Sequence, residues 1–258
     1  MSQSLPGQSY GNTLIVPMYQ PRTYRQWVTS EDLVAFSVIV DETDLLIRAK
    51  TDLSSHALEL IQKCRAGLED YIKKHPLFVS TLEPLQVEDS APAVVRNMAI
   101  AASAVGVGPM ASVAGAIARE VGVGLLQFSD EVIVENGGDI FMRSLRRRLV
   151  GLYAGESPLT GKIAFVIMPD DTPLGICTSS GTVGHSLSFG LADAVTVFSP
   201  SAALADAAAT AIGNRVHTVD DISKAIEFAQ HIPGLSGVAI VKGDVLGLWG
   251  KIQLRSLS

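Results

Sequence analysis

The sequence predicts an α+β fold built on a mostly antiparallel sheet, and three observations carry that reading. Helical stretches fall between groups of consecutive strand-like runs and do not alternate with them one for one. The strand-bearing part opens and closes on hairpin signals, with apolar runs flanking Asp41-Glu42 near its start and Gly243-Asp244 near its end. Between them, apolar residues recur at three- and four-residue spacing, as helices that bury one face require.

Residues 33–40 and 43–49 read as the first pair of strands. From residue 54 to 74, Leu58, Ile61, Leu68 and Ile72 repeat on one stripe, which makes an amphipathic helix that His75-Pro76 ends. A turn-rich segment leads to a second helix over 92–105 and a third that starts at Pro109. Past Gly124, short apolar runs at 131–135, 149–153, 162–168, 174–177 and 194–198 are bounded by Gly, Pro, Asp or Ser and read as strands. Helices follow near 200–215, with Ser199 and Pro200 as its start, and near 220–230. The closing hairpin pairs 237–242 with 245–254. With no repeat or linker in view, one domain over residues 1–258 is expected, its first 11 residues flexible.

Composition narrows the function classes. At 47% hydrophobic and 18% charged, the chain of 258 residues can bury a substantial core and is not a disordered protein. Its net charge of −6 gives no general attraction to nucleic acid, so no nucleic-acid partner is expected. The one basic run, Arg143 with Arg146, Arg147 and Arg148, is read as a solvated strand face or hairpin end, although arginine forks also hold phosphates. Cys64 and Cys177 lack knuckle spacing and read as reduced core thiols, as in a cytoplasmic protein; Cys177 adjoins a hydroxyl-rich cluster, which leaves a reactive thiol as the other reading. The start of the chain has no basic region followed by an apolar core and does not read as a signal peptide. The uncharged stretch from Asn97 to Ala118 is 22 residues long, but Gly106, Gly108 and Pro109 break it, so it reads as two buried helices and no membrane association is expected.

Three polar clusters stand out. Asn136-Gly137-Gly138-Asp139 follows a strand-like run; it is either a hairpin turn or a place where absent side chains let a bulky ligand approach. Thr178-Ser179-Ser180-Gly181-Thr182 offers four hydroxyls around a glycine, and His185 after it has a suitable pKa for acid–base work, though a structural histidine bonded to a backbone carbonyl is the commoner case for a lone histidine. No GxSxG elbow surrounds the serines, so a hydrolase nucleophile is rejected. Asp206 and Thr210 lie one helical turn apart in an alanine-rich run with no cation nearby in sequence. A buried carboxylate there needs a donor, a basic group from elsewhere or a metal, and carboxylate with hydroxyl suits Mg²⁺. Gly106-Val107-Gly108-Pro109-Met110-Ala111 formally matches a dinucleotide fingerprint, but a helix and not a strand precedes it, so helix punctuation is the better account, with an anion at the following helix start as the functional alternative.

In this order these segments resemble the ApbE-like superfamily, whose characterised members are FAD:protein FMN transferases. The resemblance spans roughly residues 108–214, about two-fifths of the chain. It implies a T-fold-like domain with helices packed on one face of the sheet. It also implies Mg²⁺ at Asp206 and Thr210, a ligand site at Gly137, Gly138, Asp139, Thr178, Ser179, Ser180, Gly181 and Thr182, and His185 as the catalytic candidate, with FAD or FMN as cofactor. The chain departs from the transferase pattern in two places: Arg119-Glu120 stands where a Lys-Gly pair is usual, and His185 is not followed by the Asp-Pro stretch. The resemblance is therefore to the soluble, poorly characterised branch, whose association with sulfide incorporation in homocysteine formation supplies an alternative, non-flavin accessory role. A small-molecule ligand and a homo-oligomer are expected, with other protein partners open.

Overall fold

The computed structural model describes residues 28, 30–181 and 189–257. Its elements run β1 (Val34–Val40), β2 (Thr43–Ala49), α1 (Ser54–Lys74), α2 (Leu77–Ser80), α3 (Ala93–Val105), α4 (Val113–Leu125), β3 (Val132–Asn136), β4 (Asp139–Arg143), β5 (Arg148–Gly151), β6 (Ile163–Ile167), β7 (Leu174–Ser179), β8 (Ala194–Ser199), α5 (Ala202–Gly213), α6 (Ile222–Gln230), β9 (Gly237–Lys242), β10 (Val245–Gly250) and β11 (Gln253–Ser256). Eight strands form one sheet in the order β1-β2-β3-β4-β7-β8-β9-β10, and β11-β6-β5 form a second. Every pairing between these strands is antiparallel.

Strand alternation sorts the central side chains into two cores. Val132, Val134, Phe141, Cys177, Val195, Val197, Val238 and Ile240 face the helices. Ile133, Ile140, Met142, Leu174, Ile176, Phe198 and Val241 face the small sheet, where Phe165 meets Phe198 edge-on at 5.0 Å. Burial on both sides explains why these strands read as nearly continuous apolar runs. Helices do occupy one face, as expected; the small second sheet on the other face was not anticipated.

At the centre of the helical layer lies α5, buried on nearly every side. Seven of its twelve residues are alanine, a size that lets its backbone approach the sheet and the flanking helices closely. The uncharged stretch around Gly106 forms α3 and α4, joined by a 3-10 turn at Pro109–Ser112 and bent by 103°. Gly106 ends α3 in the left-handed region at φ 75°, and Pro109 begins the next turn. Among the described residues no single helix is long and apolar enough to cross a membrane.

Three sequence expectations need correction. The strand over 245–254 divides: Gly250, at φ 95°, turns the chain so that β10 stays in the large sheet while β11 crosses to the small one. The run 139–143 forms β4, a strand that the turn signal before it had hidden. Arg148 is not solvated but buried, 3% exposed. Its guanidinium pairs with Asp32 and reaches Glu131 at 2.9 Å. Glu131 also takes Lys50 Nζ at 2.7 Å, the Ser144 hydroxyl at 2.7 Å and the Leu145 amide at 2.9 Å. Burial alone raises the carboxyl's pKa, but these donors outweigh it and hold Glu131 down at about 2. The network ties the start of β3 in the large sheet to β5 in the small one.

Replacing Glu131 by Gln leaves Arg148 buried without its full counter-charge, and the expected cost in urea denaturation is about 3–5 kcal/mol. Because folding lowers this pKa from 4.5 to about 2, the wild-type contribution is complete above pH 4.5 and declines as pH falls toward 2. The Gln variant should lack that acid limb.

Candidate functional site

Asp206 projects from α5 toward the first turn of α4, where its Oδ2 accepts the Gly115 amide at 2.8 Å. The Ala114 amide contributes as well. A helix start offers free N–H groups and the positive end of the macrodipole, so it can receive a carboxylate that lacks a cationic partner. Gly115 makes the approach possible. A Cβ there would lie 2.4 Å from the Ala202 carbonyl oxygen and 2.8 Å from the Asp206 Cβ.

A second carboxylate comes from the β3–β4 hairpin. Gly137 and Gly138 form its two-residue loop at φ 65° and 106°, the left-handed conformation that such hairpin turns demand. Nothing lies within 4 Å of a Cβ built on either glycine, so their conformation alone accounts for them. The Gly138 amide donates to Glu135 Oε1 at 2.7 Å, and Asn136 Nδ2 donates to the Ala114 carbonyl at 3.1 Å, fastening the hairpin to the start of α4. This sets the buried Asp139 on the helix-facing side of β4, with its Oδ1 accepting the Thr178 amide at 3.2 Å.

Asp139 and Asp206, 67 positions apart in sequence, sense each other's charge. Burial raises both; the Asp206 charge lifts Asp139 further, well above the usual carboxylate range, and Asp206 itself is pushed up to about 7 despite its two amide donors. Among the described residues no lysine or arginine is ion-paired with either group. Cys177, also at the pair, is fully buried, with Sγ 3.3 Å from the Ala202 carbonyl oxygen. Burial and both carboxylates push its thiol up, which opposes thiolate formation and the reactive-thiol reading.

The other sequence candidates divide. Ser179 is buried on the helix side, its Oγ 3.7 Å from the position a Cβ on Gly213 would take, one turn beyond Thr210. Ser180 is half-buried and Gly181 exposed just past the end of β7. Thr178 brings only its amide to the site: its hydroxyl points to the opposite face and pairs with Thr196 Oγ1 at 2.9 Å. Asp206 and Thr210 share a face of α5. Thr182 and His185 lie outside the described residues. The sequence reading missed that Asp139 and Asp206 belong to one electrostatic unit. Each was legible as an uncompensated acid, but no local signal pairs them.

Residues 25–244 match the family described as AbpE bacteria. A UPF0280 protein of Methanocaldococcus jannaschii is 46% identical over 221 residues, which cover 83% of this chain and 90% of the relative. Another, from Methanopyrus kandleri, is 42% identical over 226 residues, covering 85% and 91%. Among solved structures, the ApbE protein of Thermotoga maritima superposes with a TM-score of 0.57 at 11% identity, covering 83% of this chain and 96% of that one. The flavinyl transferase ApbE of Pseudomonas stutzeri, in its apo form, gives 0.50 at 13% identity, covering 85% and 94%. At these identities the structural likeness establishes the fold.

Two stability measurements probe this geometry. Gly115→Ala forces a backbone shift between α4 and α5 and is expected to cost about 1–3 kcal/mol in chemical denaturation. Folding raises the Asp206 pKa from 3.8 to about 7, so the folded state holds the extra proton and the ligand-free protein loses stability as pH rises through that window. Asp206→Asn should flatten that slope and melt at a higher temperature than wild type at pH 8.

Proposed function

The chain belongs to the AbpE family, and from that premise we propose that it binds a phosphate-bearing ligand of the flavin-nucleotide kind with Mg²⁺ at the Asp139–Asp206 end of the sheet. The observation that carries this reading is the pair of carboxylates gathered with no cationic side chain among the described residues to compensate them. A divalent cation supplies that compensation.

The donor set suits a hard ion. Asp206 and Thr210 would hold it from one face of α5, with Asp139 contributing negative charge from β4. Among the described residues no three His, Cys, Asp or Glu side chains form a self-sufficient metal cluster. Mg²⁺ tolerates this, because it commonly takes one or two carboxylates and completes its shell with waters and ligand phosphates. Bound there, the ion would neutralise phosphate charge and polarise a phosphoryl oxygen.

The protein's own groups suit the remaining tasks. Ser179 offers a hydroxyl beside Gly213 of α5, and Ser180 follows it at the end of β7, while the Gly181 amide is already held by the Ala192 carbonyl at 2.9 Å. Thr182 and His185 continue that segment in sequence, and His185 is the residue we assign to proton transfer in a group-transfer reaction. The hairpin of Gly137 and Gly138 leaves open space above its backbone, where a flat ligand can approach. A flavin transferase-like activity on FAD fits this arrangement. The accessory role in sulfide incorporation is less well supported, since the thiol beside the carboxylates, Cys177, is buried and held protonated.

Calorimetric titration with FAD, FMN and ADP, each with and without Mg²⁺, tests the reading. Saturable binding of at least one nucleotide should require Mg²⁺, and Asp206→Ala should weaken it by roughly 100-fold. Absence of binding to all three, or equal binding by the Asp206→Ala variant, overturns the proposal.

A further inference from the structure

We propose that β1 is a self-pairing edge through which two copies of this chain join their large sheets into one. An open strand edge presents unpaired N–H and C=O groups, and proteins blunt such edges with charge, proline or a bulge. β1 has none of these. Its seven residues, Val34-Ala35-Phe36-Ser37-Val38-Ile39-Val40, carry no charged side chain, and their register with β2 is unbroken from Val34↔Ala49 to Val40↔Thr43. The strand at the other edge, β10, carries two glycines, Gly247 and Gly250, the second of which turns the chain out of the sheet. Among the described residues no strand lies on the outer side of β1, where Val34 is 44% and Ile39 64% exposed.

The choice of a second copy as occupant follows from the pattern of the strand. Val40 and Thr43 flank a two-residue turn, with Asp41 at φ 50°, and are therefore a hydrogen-bonded pair. Alternation then assigns the backbone groups of Val34, Phe36, Val38 and Val40 to β2 and sends those of Ala35, Ser37 and Ile39 outward. A twofold axis through Ser37 sets Ser37 opposite Ser37 of the second copy and Ala35 opposite Ile39 of the second copy. These are the residues with free backbone groups, so the three pairs make six new ladder bonds. In the same register Phe36 meets Val38 and Val34 meets Val40, apolar against apolar. Parity is kept, so the helices of both copies lie on the same side of the joined sheet. The interface closes as a dimer, because an isologous β1–β1 pairing uses that edge of both copies at once.

Ala35 and Ile39 are exposed within one chain, so charges there leave the monomer's core untouched. Light scattering after size exclusion should give wild type twice the monomer mass. Ala35→Lys/Ile39→Lys places like charges opposite each other at both outer pairs and should halve that mass, with the circular dichroism spectrum unchanged. Ala35→Lys/Ile39→Glu places opposite charges there and should restore the dimer. A monomeric wild type at high micromolar concentration overturns the proposal, whether another segment covers the edge or nothing does. So does a dimer that survives the double-lysine change, or a charge-swapped variant that stays monomeric.

Discussion

The contact between the Asp206 carboxylate and the first turn of α4 is the constraint on which this end of the molecule depends. It requires α5 to run close beneath α4, which fixes Gly115 against Ala202. It also requires the β3–β4 hairpin to be fastened to the same helix start, which Asn136 does through the Ala114 carbonyl. A bulkier residue at either crossing point would separate the helices and leave the carboxylate without its amide donors. The alanines of α5 are thus part of the electrostatics as well as the packing: small side chains bring backbone dipoles within reach of a buried charge.

Acidic side chains taken out of water are treated differently at two places in the fold. Glu131 is surrounded by Lys50, Arg148, a hydroxyl and an amide, and its carboxyl is held at about 2. Its charge is compensated within the chain, as a structural ion pair requires. Asp139 and Asp206 receive amides and a thiol but, among the described residues, no cation, and both are shifted upward. Their arrangement is unfavourable to the folded protein by itself. A pair of perturbed acids maintained at a cost to stability is a physical mark of a binding or catalytic site.

Much of the layout could be read in the sequence because it rests on local rules. The Asp41-Glu42 and Gly243-Asp244 turns, the stripe of α1 and the Gly106–Pro109 joint each declare themselves within a few residues. What escaped depends on distant partners. β4 escaped because its apolar run of three residues is too short to signal a strand; only pairing with β3 and β7 makes it one. The small sheet escaped because β11 joins β6 across a long separation, Gln253 pairing with Val166 from 87 positions away, and no periodicity encodes such pairing. Arg148 looked like one of four exposed arginines until Asp32 and Glu131 were placed beside it. At the site, the individual acids were legible but their meeting was not, since β4 and α5 are set side by side by the sheet order.

Strand parity also decides which hydroxyls can act there. In sequence, Thr178, Ser179 and Ser180 are equivalent donors. In the sheet they are not: β7 sends Cys177 and Ser179 toward α5 and Thr178 toward the small sheet, where Thr196 occupies its hydroxyl. The same alternation puts Asp139 with Phe141 on the helix side and Ile140 with Met142 on the other. A one-residue slip of β7 against β4 would exchange these sets, burying the Thr178 hydroxyl beside the carboxylates and turning Cys177 away. The apolar Ile176 opposes that slip, because it would leave its place opposite Ile140 in the core between the sheets. The chemistry available at the carboxylate pair is therefore set by hydrophobic contacts on the far side of the sheet from it.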